Sequence, residues 1–189
     1  MRPHLQIVVG STRPGRIGLP IAHWVAEQAA AHEGFEVELV DLAEVGLPLL
    51  DEPSHPRLGQ YVKDHTKAWS RRVASADAFV LVTPEYNHGY PAPLKNALDY
   101  LHREWNHKPV GFVSYGGVAG GTRAVGLLKP VVLALQMVPV VQTVAVPFAG
   151  RQVADGAFTP PEGTAAAASA MFDALLAHTA ALATLRTTD

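Results

Sequence analysis

Gly10-Ser11-Thr12-Arg13-Pro14-Gly15-Arg16-Ile17-Gly18 follows a short apolar run and precedes a segment with helical spacing. Glycines in such a turn let the backbone approach an oxyanion, and the N–H groups at the start of the next helix point toward it. Ser11 and Thr12 add hydroxyl donors, and Arg13 and Arg16 add planar cations suited to phosphate. The stretch has neither GxGxxG nor the GKS/T ending of a P-loop, which favours a single phosphate-like anion. The alternative is a tight turn with two solvated arginines.

Two further stretches carry unusual chemistry. Thr83-Pro84-Glu85-Tyr86-Asn87-His88-Gly89-Tyr90-Pro91-Ala92-Pro93 holds three prolines and a glycine, which fix the shape of a loop. Its aromatics and Asn87 suit the flanks of a flat heterocycle; Tyr86 and Tyr90 equally suit a subunit interface. Ser114-Tyr115-Gly116-Gly117-Val118-Ala119-Gly120-Gly121 places four glycines within six residues. Each costs conformational entropy, so the cluster makes sense where backbone N–H groups must reach the edge of a ring. A flexible loop is the alternative.

Metal and thiol chemistry find little support. Cysteine is absent, which excludes a disulfide scaffold, a thiol nucleophile and an iron–sulfur cluster. Nine histidines are present, but His32-Glu33 is not followed by the second His of HExxH, and His102 and His107 are five apart, on different sides of a helix. No metal ligand set is expected.

The elements that must position these stretches follow from periodicity. Apolar runs Leu5–Val9, Phe35–Val40, Phe79–Thr83, Val110–Ser114 and Val140–Val146 read as strands buried on both faces. Between them, helical stripes run through Ile21, Trp24, Val25 and Ala29; through Leu58, Tyr61, Val62, Trp69 and Val73; and through Leu94, Ala97, Leu98 and Leu101. Val125, Leu128, Val132 and Leu135 form a fourth stripe interrupted by Pro130, where a kink is expected. Met171, Phe172, Leu175, Leu176, Leu182 and Leu185 form the last. Five alternating βα units predict an open parallel sheet of the flavodoxin-like order 2-1-3-4-5, a three-layer αβα domain over residues 1–189. The three chemical stretches then follow the first, third and fourth strands, around the point where strand order reverses. Connections Asp41 to Arg57 and Pro147 to Gly163 are unusually long.

Composition narrows the classes. Lys plus Arg total 15 and Asp plus Glu 17, a formal charge of −2 that gives no strong pull toward nucleic acid or anionic membrane. The longest apolar stretch, Val131–Val141, is broken by Gln136 and Pro139 and does not span a bilayer core of about 30 Å. With no signal-like N-terminus, a cytoplasmic location is expected. Only 17% of residues are charged, and the segment after Leu94 carries Tyr100, Trp105 and His102, so an oligomer that hides apolar surface is expected.

The motifs GSTRPGR (Gly10–Arg16), TPEYNHGYPAPLKNALDYL (Thr83–Leu101) and SYGGVAGGTRA (Ser114–Ala124) resemble, in order and spacing, those of the NADPH-dependent FMN reductase family. The resemblance runs from about Leu5 to Val146. It implies FMN at a homodimer interface, reduced by NADPH or NADH and reoxidised by a quinone, dye, metal oxyanion or free flavin. It places Ser11, Thr12, Arg13, Arg16, Ile17 and Gly18 at the FMN phosphate. Pro84, Glu85, Tyr86 and Asn87 would wrap the ribityl chain and ring, with backbone amides toward N5 and O4. Ser114, Tyr115, Gly116 and Gly117 would lie against the pyrimidine edge. Hydride transfer at flavin N5 needs no catalytic acid, base or nucleophile from the protein, and one open ring face implies ping-pong kinetics. His88 and Gly89 depart from the family pattern of a hydroxyl or other aromatic. The competing readings are an FMN electron carrier or a redox sensor with slow turnover. A Rossmann dehydrogenase is disfavoured by the missing GxGxxG and by the lack of an acidic residue in the expected context after the second strand. Whether dimers pair into tetramers is left open.

Overall fold

Each of the five apolar runs becomes a strand of one parallel sheet. In the computed structural model, which describes residues 2–186, these are β1 (His4–Val9), β2 (Glu36–Asp41), β3 (Ala78–Pro84), β4 (Pro109–Tyr115) and β5 (Val138–Val146). Their order is β2-β1-β3-β4-β5, as the alternation predicts, and all neighbours are parallel. Every residue of β3 and β4 is buried, which is why these strands read as unbroken apolar runs.

Helices α1 (Gly18–Ala31) and α6 (Thr164–Arg186) cover one face of the sheet. The short α2 (Leu42–Val45), with α3 (Asp64–Ala74), α4 (Ala92–Asp99) and α5 (Thr122–Ala134), covers the other. The helix α6 is long and apolar enough to cross a membrane, with 23 residues and a mean hydropathy of 1.3. Here it lies on the sheet instead, burying Met171, Phe172 and Leu175 against β4 and β5.

Several sequence expectations are corrected. The stripe Leu58-Tyr61-Val62-Trp69-Val73 is not one helix. Pro56–Leu58 forms a single 3-10 turn closed by Gly59 in the left-handed conformation (φ 65°), and α3 begins only at Asp64. Trp69 and Val73 are core residues, whereas Leu58 and Val62 are exposed. Pro130 stands inside α5, which runs through it as one helix, as the fourth stripe reads. The connection after β5 carries a 3-10 turn (Ala149–Arg151) and a hairpin of β6 (Val153–Ala154) and β7 (Ala157–Phe158). Phe158 meets the Trp24 ring edge-on at 5.4 Å and so pins the hairpin to α1.

Tyr100 and Trp105 are buried within the chain, which removes the aromatic-surface argument for an oligomer. After α4 ends at Asp99 the chain folds back through a 3-10 turn, Arg103–Trp105. The Trp105 ring then lies 4.9 Å from Phe79 and 6.1 Å from Trp69, and its Nε1 donates to the Leu98 carbonyl at 3.2 Å. The Tyr100 hydroxyl donates to Asp51 at 3.1 Å, and burial helps push its pKa up to about 12.

Candidate functional site

The loops that follow β1, β3 and β4 converge at the carboxyl edge of the sheet, where the strand order reverses. The first loop starts tightly. The Gly10 amide donates to the Val82 carbonyl at 2.9 Å, and a Cβ on Gly10 would stand 3.1 Å from that oxygen and from the Leu94 side chain. Ser11 is fully buried, and its Oγ lies 2.8 Å from the Tyr86 hydroxyl, which ties the first loop to the second.

Arg16 turns inward to form an ion pair with Asp41, the last residue of β2. The register that sets Asp41 beside Val9 makes this possible. The other Asp41 oxygen accepts the Ala43 amide at 3.0 Å and caps α2. An acidic residue therefore does end the second strand, contrary to the sequence expectation, but it is spent on Arg16 and on this cap.

Arg16 Nε and the Tyr115 hydroxyl are both buried without a well-formed hydrogen bond, the phenol having only the Ser11 hydroxyl near it, which is itself engaged with Tyr86. Burial raises the Tyr115 pKa, so the phenol stays protonated and able to donate. A Cβ on Gly18 would overlap the Tyr115 hydroxyl, so glycine at the start of α1 is what admits it. Leaving a buried donor unsatisfied costs about 1–3 kcal/mol. Two such donors lining one cleft, with Arg13 at its mouth, fit an anionic group. The cleft measures about 250 Å³ and is lined by Arg13, Gly15, Arg16, Ile17, Pro84 and Tyr115, among others.

In the second loop, Tyr86 and Gly89 exchange two backbone hydrogen bonds of 2.9 Å. Asn87 (φ 49°) and His88 (φ 67°) between them are both left-handed, the geometry of a type I′ turn. Glu85 donates its amide to the Tyr115 carbonyl at 3.1 Å, and its carboxylate pairs with Arg123 at 2.9 Å. This clamp joins the loops after β3 and β4.

The four glycines of the third loop divide by role. Gly121 (φ 82°) and Gly120 (φ 57°) make the turn, and a Cβ on Gly121 would stand 2.7 Å from the Tyr115 nitrogen. Gly117 has open space around it. Ser114 is committed inside the turn, where its hydroxyl donates to the Gly120 carbonyl at 2.8 Å.

Of the residues singled out from the sequence, Arg13, Arg16, Ile17, Pro84, Glu85, Tyr86, Tyr115 and Gly116 line the one cleft. Thr12 lines a different cavity of about 390 Å³ with Leu42, Leu47 and Asn96. The Tyr115 hydroxyl lies on the phosphate-loop side, against Gly18, rather than out along the glycine-rich loop. The amides of Glu85, Tyr86 and Gly116 are already engaged with Tyr115, Gly89 and Val146. Of the ring-side residues singled out from the sequence, Asn87 and Gly117 have amides without a backbone partner, as do His88, Val118 and Ala119 beside them. Asp41, Arg123 and Gly150 belong to the site and were not singled out from the sequence. Asp41 and Arg123 are each the partner of a residue that was.

A parallel sheet of this order with an anion cradle at its switch point defines a flavodoxin-like protein. The sequence profile of the NADPH-dependent FMN reductase family matches residues 3–151, and the chain belongs to that family. It is thus an oxidoreductase of the class that uses FMN and a reduced nicotinamide nucleotide. An NAD(P)H-dependent FMN reductase of Schizosaccharomyces pombe is 50% identical over 121 residues, 63% of this chain and 60% of the relative's length. One from Saccharomyces cerevisiae is 37% identical over 142 residues, 69% of this chain and 74% of the relative. The flavoenzyme NAD(P)H:(acceptor) oxidoreductase of Paracoccus denitrificans superposes with a TM-score of 0.73 at 25% identity, covering 95% of this chain and 98% of that one.

The buried phenol gives a direct test of the cradle. Tyr115→Phe removes a donor that makes no well-formed hydrogen bond in the protein alone, so thermal stability without flavin should change little. FMN affinity should fall by about 2- to 12-fold, the loss of one hydrogen bond of 0.5–1.5 kcal/mol. Calorimetric titration of FMN into both forms, with melting curves of each, reads the two effects separately. Unchanged affinity would exclude the hydroxyl from the site.

Proposed function

We propose that the chain takes two electrons from NADPH or NADH and passes them to a second substrate that binds after the first has left. The observation that carries this reading is the pair of buried, unsatisfied donors, Arg16 Nε and the Tyr115 hydroxyl, beside Arg13 in one cleft. FMN, when bound, supplies the group that accepts and releases the hydride. Ser11, Arg13, Arg16, Ile17 and Gly18 are assigned to its phosphate, with the Tyr115 hydroxyl added, whereas Thr12 faces the neighbouring cavity. Pro84, Glu85, Tyr86, Asn87, Ser114, Gly116 and Gly117 are assigned to the ribityl and ring side. There Ser114 acts by holding the turn, and the Glu85–Arg123 pair keeps the two loops at fixed separation. Tyr86, Val118 and Phe148 expose apolar surface around these loops. That rim favours a flat, apolar acceptor such as a quinone over a metal oxyanion.

The purified protein should be yellow, and heat should release FMN. Recovery of FAD, or of no flavin, would sink the reading. With a quinone as acceptor, reciprocal-rate plots at several acceptor concentrations should be parallel. Intersecting lines would mean that donor and acceptor occupy separate sites together.

A homodimer is proposed on a different surface from the one the sequence suggested. Leu49, Leu50, Leu58 and Val62, all within the connection between α2 and α3, are exposed. Light scattering should give about 40 kDa, twice the chain's 20.1 kDa. A mass equal to one chain at micromolar concentration would refute the dimer.

A further inference from the structure

We infer that the protein carries a second anion site, at the edge of the sheet opposite the flavin loops, built for a multiply charged phosphate group. A cavity of about 510 Å³ opens between the turns that lead into β4 and β5. It is lined by Arg57, His102, Arg103, Asn106, His107 and Gln136. That is about twice the volume of the flavin-side cleft, which measures about 250 Å³.

Its charge is uncompensated. The lining includes two guanidinium and two imidazole groups and no carboxylate. Among the described residues, Arg57 and Arg103 form no ion pair, in a chain where acidic side chains outnumber Lys and Arg by 17 to 15. The nearby carboxylate, Glu104, is occupied elsewhere: it accepts from the Ser70 hydroxyl at 2.6 Å, the Tyr61 hydroxyl at 3.1 Å and the His102 amide at 3.3 Å. Burial, then the charges of Arg57 and His55, hold the His102 pKa below the usual histidine value, so the positive charge of the cavity rests on the two guanidinium groups. Lys108 lies close by but is committed to the Val73 and Ala74 carbonyls at 2.9 and 3.1 Å.

The frame of the cavity is rigid. His107 and Gln136 both sit in the left-handed region at φ 57°, and the His107 amide donates to the Gln136 carbonyl at 2.9 Å. With its amide oriented to satisfy both neighbours, Asn106 donates to the Leu135 and His102 carbonyls at 3.1 and 2.9 Å. Planar guanidinium forks on a fixed frame, supplemented by imidazole N–H groups, match the oxygens of a phosphate dianion better than a lone carboxylate. The site shares no residue with the flavin cleft.

The test uses FMN-saturated protein titrated calorimetrically with inorganic pyrophosphate, so that the flavin loop is already filled. One pyrophosphate should bind per chain without changing the flavin absorbance. Arg57→Ala and Arg103→Ala, both at exposed positions, should each weaken it by roughly tenfold or more, the scale of one lost charge-assisted hydrogen bond. Adenosine monophosphate in place of pyrophosphate distinguishes a nucleotide-borne phosphate from a free one; saturable binding of either, lost in the variants, supports the site. Absence of saturable binding of both, equal binding by the variants, or binding seen only before FMN is added would overturn it.

Discussion

Asp41→Ala should destabilise the flavin-free protein by about 3–5 kcal/mol, the cost of removing one member of a buried ion pair. The side chains of Asp41 and Arg16 are 5% and 17% exposed, so truncation leaves a guanidinium short of both counter-charge and water. The same change removes the cap of α2, where Asp41 accepts the Ala43 amide, worth about 1 kcal/mol more. For a chain of this length, each kcal/mol shifts the melting temperature by about 2–4 °C. Saturating FMN should recover part of the loss, because its phosphate supplies the missing negative charge to Arg16 and because ligand binding stabilises the folded state. Urea or thermal unfolding of wild type and variant, each with and without FMN, measures both effects. A loss below about 1 kcal/mol in the flavin-free form would place the pair in effective contact with solvent, where such pairs are worth little.

What was legible in the sequence was whatever depends on local spacing. Strands buried on both faces are short apolar runs, and β1 to β5 fall within one or two residues of those runs. Their alternation with helices sets the sheet order and thereby places the loops after β1, β3 and β4 together. The Asp155-Gly156 hairpin was missed, although both residues are left-handed, as a two-residue turn of that type requires; the strands beside it are only two residues long and carry no alternation to read. What the sequence hides is long-range pairing. Arg16 finds Asp41 only because β1 and β2 pair in register, and the room for the Tyr115 hydroxyl comes from Gly18, on the far side of the sheet's centre in sequence. Tyr100 and Trp105 misled for the same reason. Beyond the end of α4, no periodicity says whether the chain turns outward or folds back onto Phe79 and Trp69.

The two arginines of the first loop are now distinguishable, and this sharpens the largest expected effect on binding. The Arg16 guanidinium is held by Asp41, whereas Arg13 is exposed at the mouth of the cleft and forms no ion pair among the described residues. Its backbone braces the turn, with its carbonyl accepting the Arg16 amide at 3.1 Å, but that bond survives side-chain truncation. Arg13→Ala should therefore leave stability nearly unchanged while removing a charge-assisted hydrogen bond to the FMN phosphate, worth about 1.5–3 kcal/mol. At 1.4 kcal/mol per decade this is roughly a 10- to 150-fold loss of FMN affinity. Riboflavin, which lacks the phosphate, should bind wild type and variant equally. Arg16→Ala should behave differently, because it also strands the buried Asp41 carboxylate and loosens the loop itself, so riboflavin should weaken as well, and FMN should weaken further by the lost phosphate contact. Titrating both flavins into the flavin-free wild type and each variant separates a phosphate contact from a structural brace. Equal losses of FMN and riboflavin for Arg13→Ala would remove its guanidinium from the phosphate site and leave the anion cradle to Arg16, Tyr115 and the backbone.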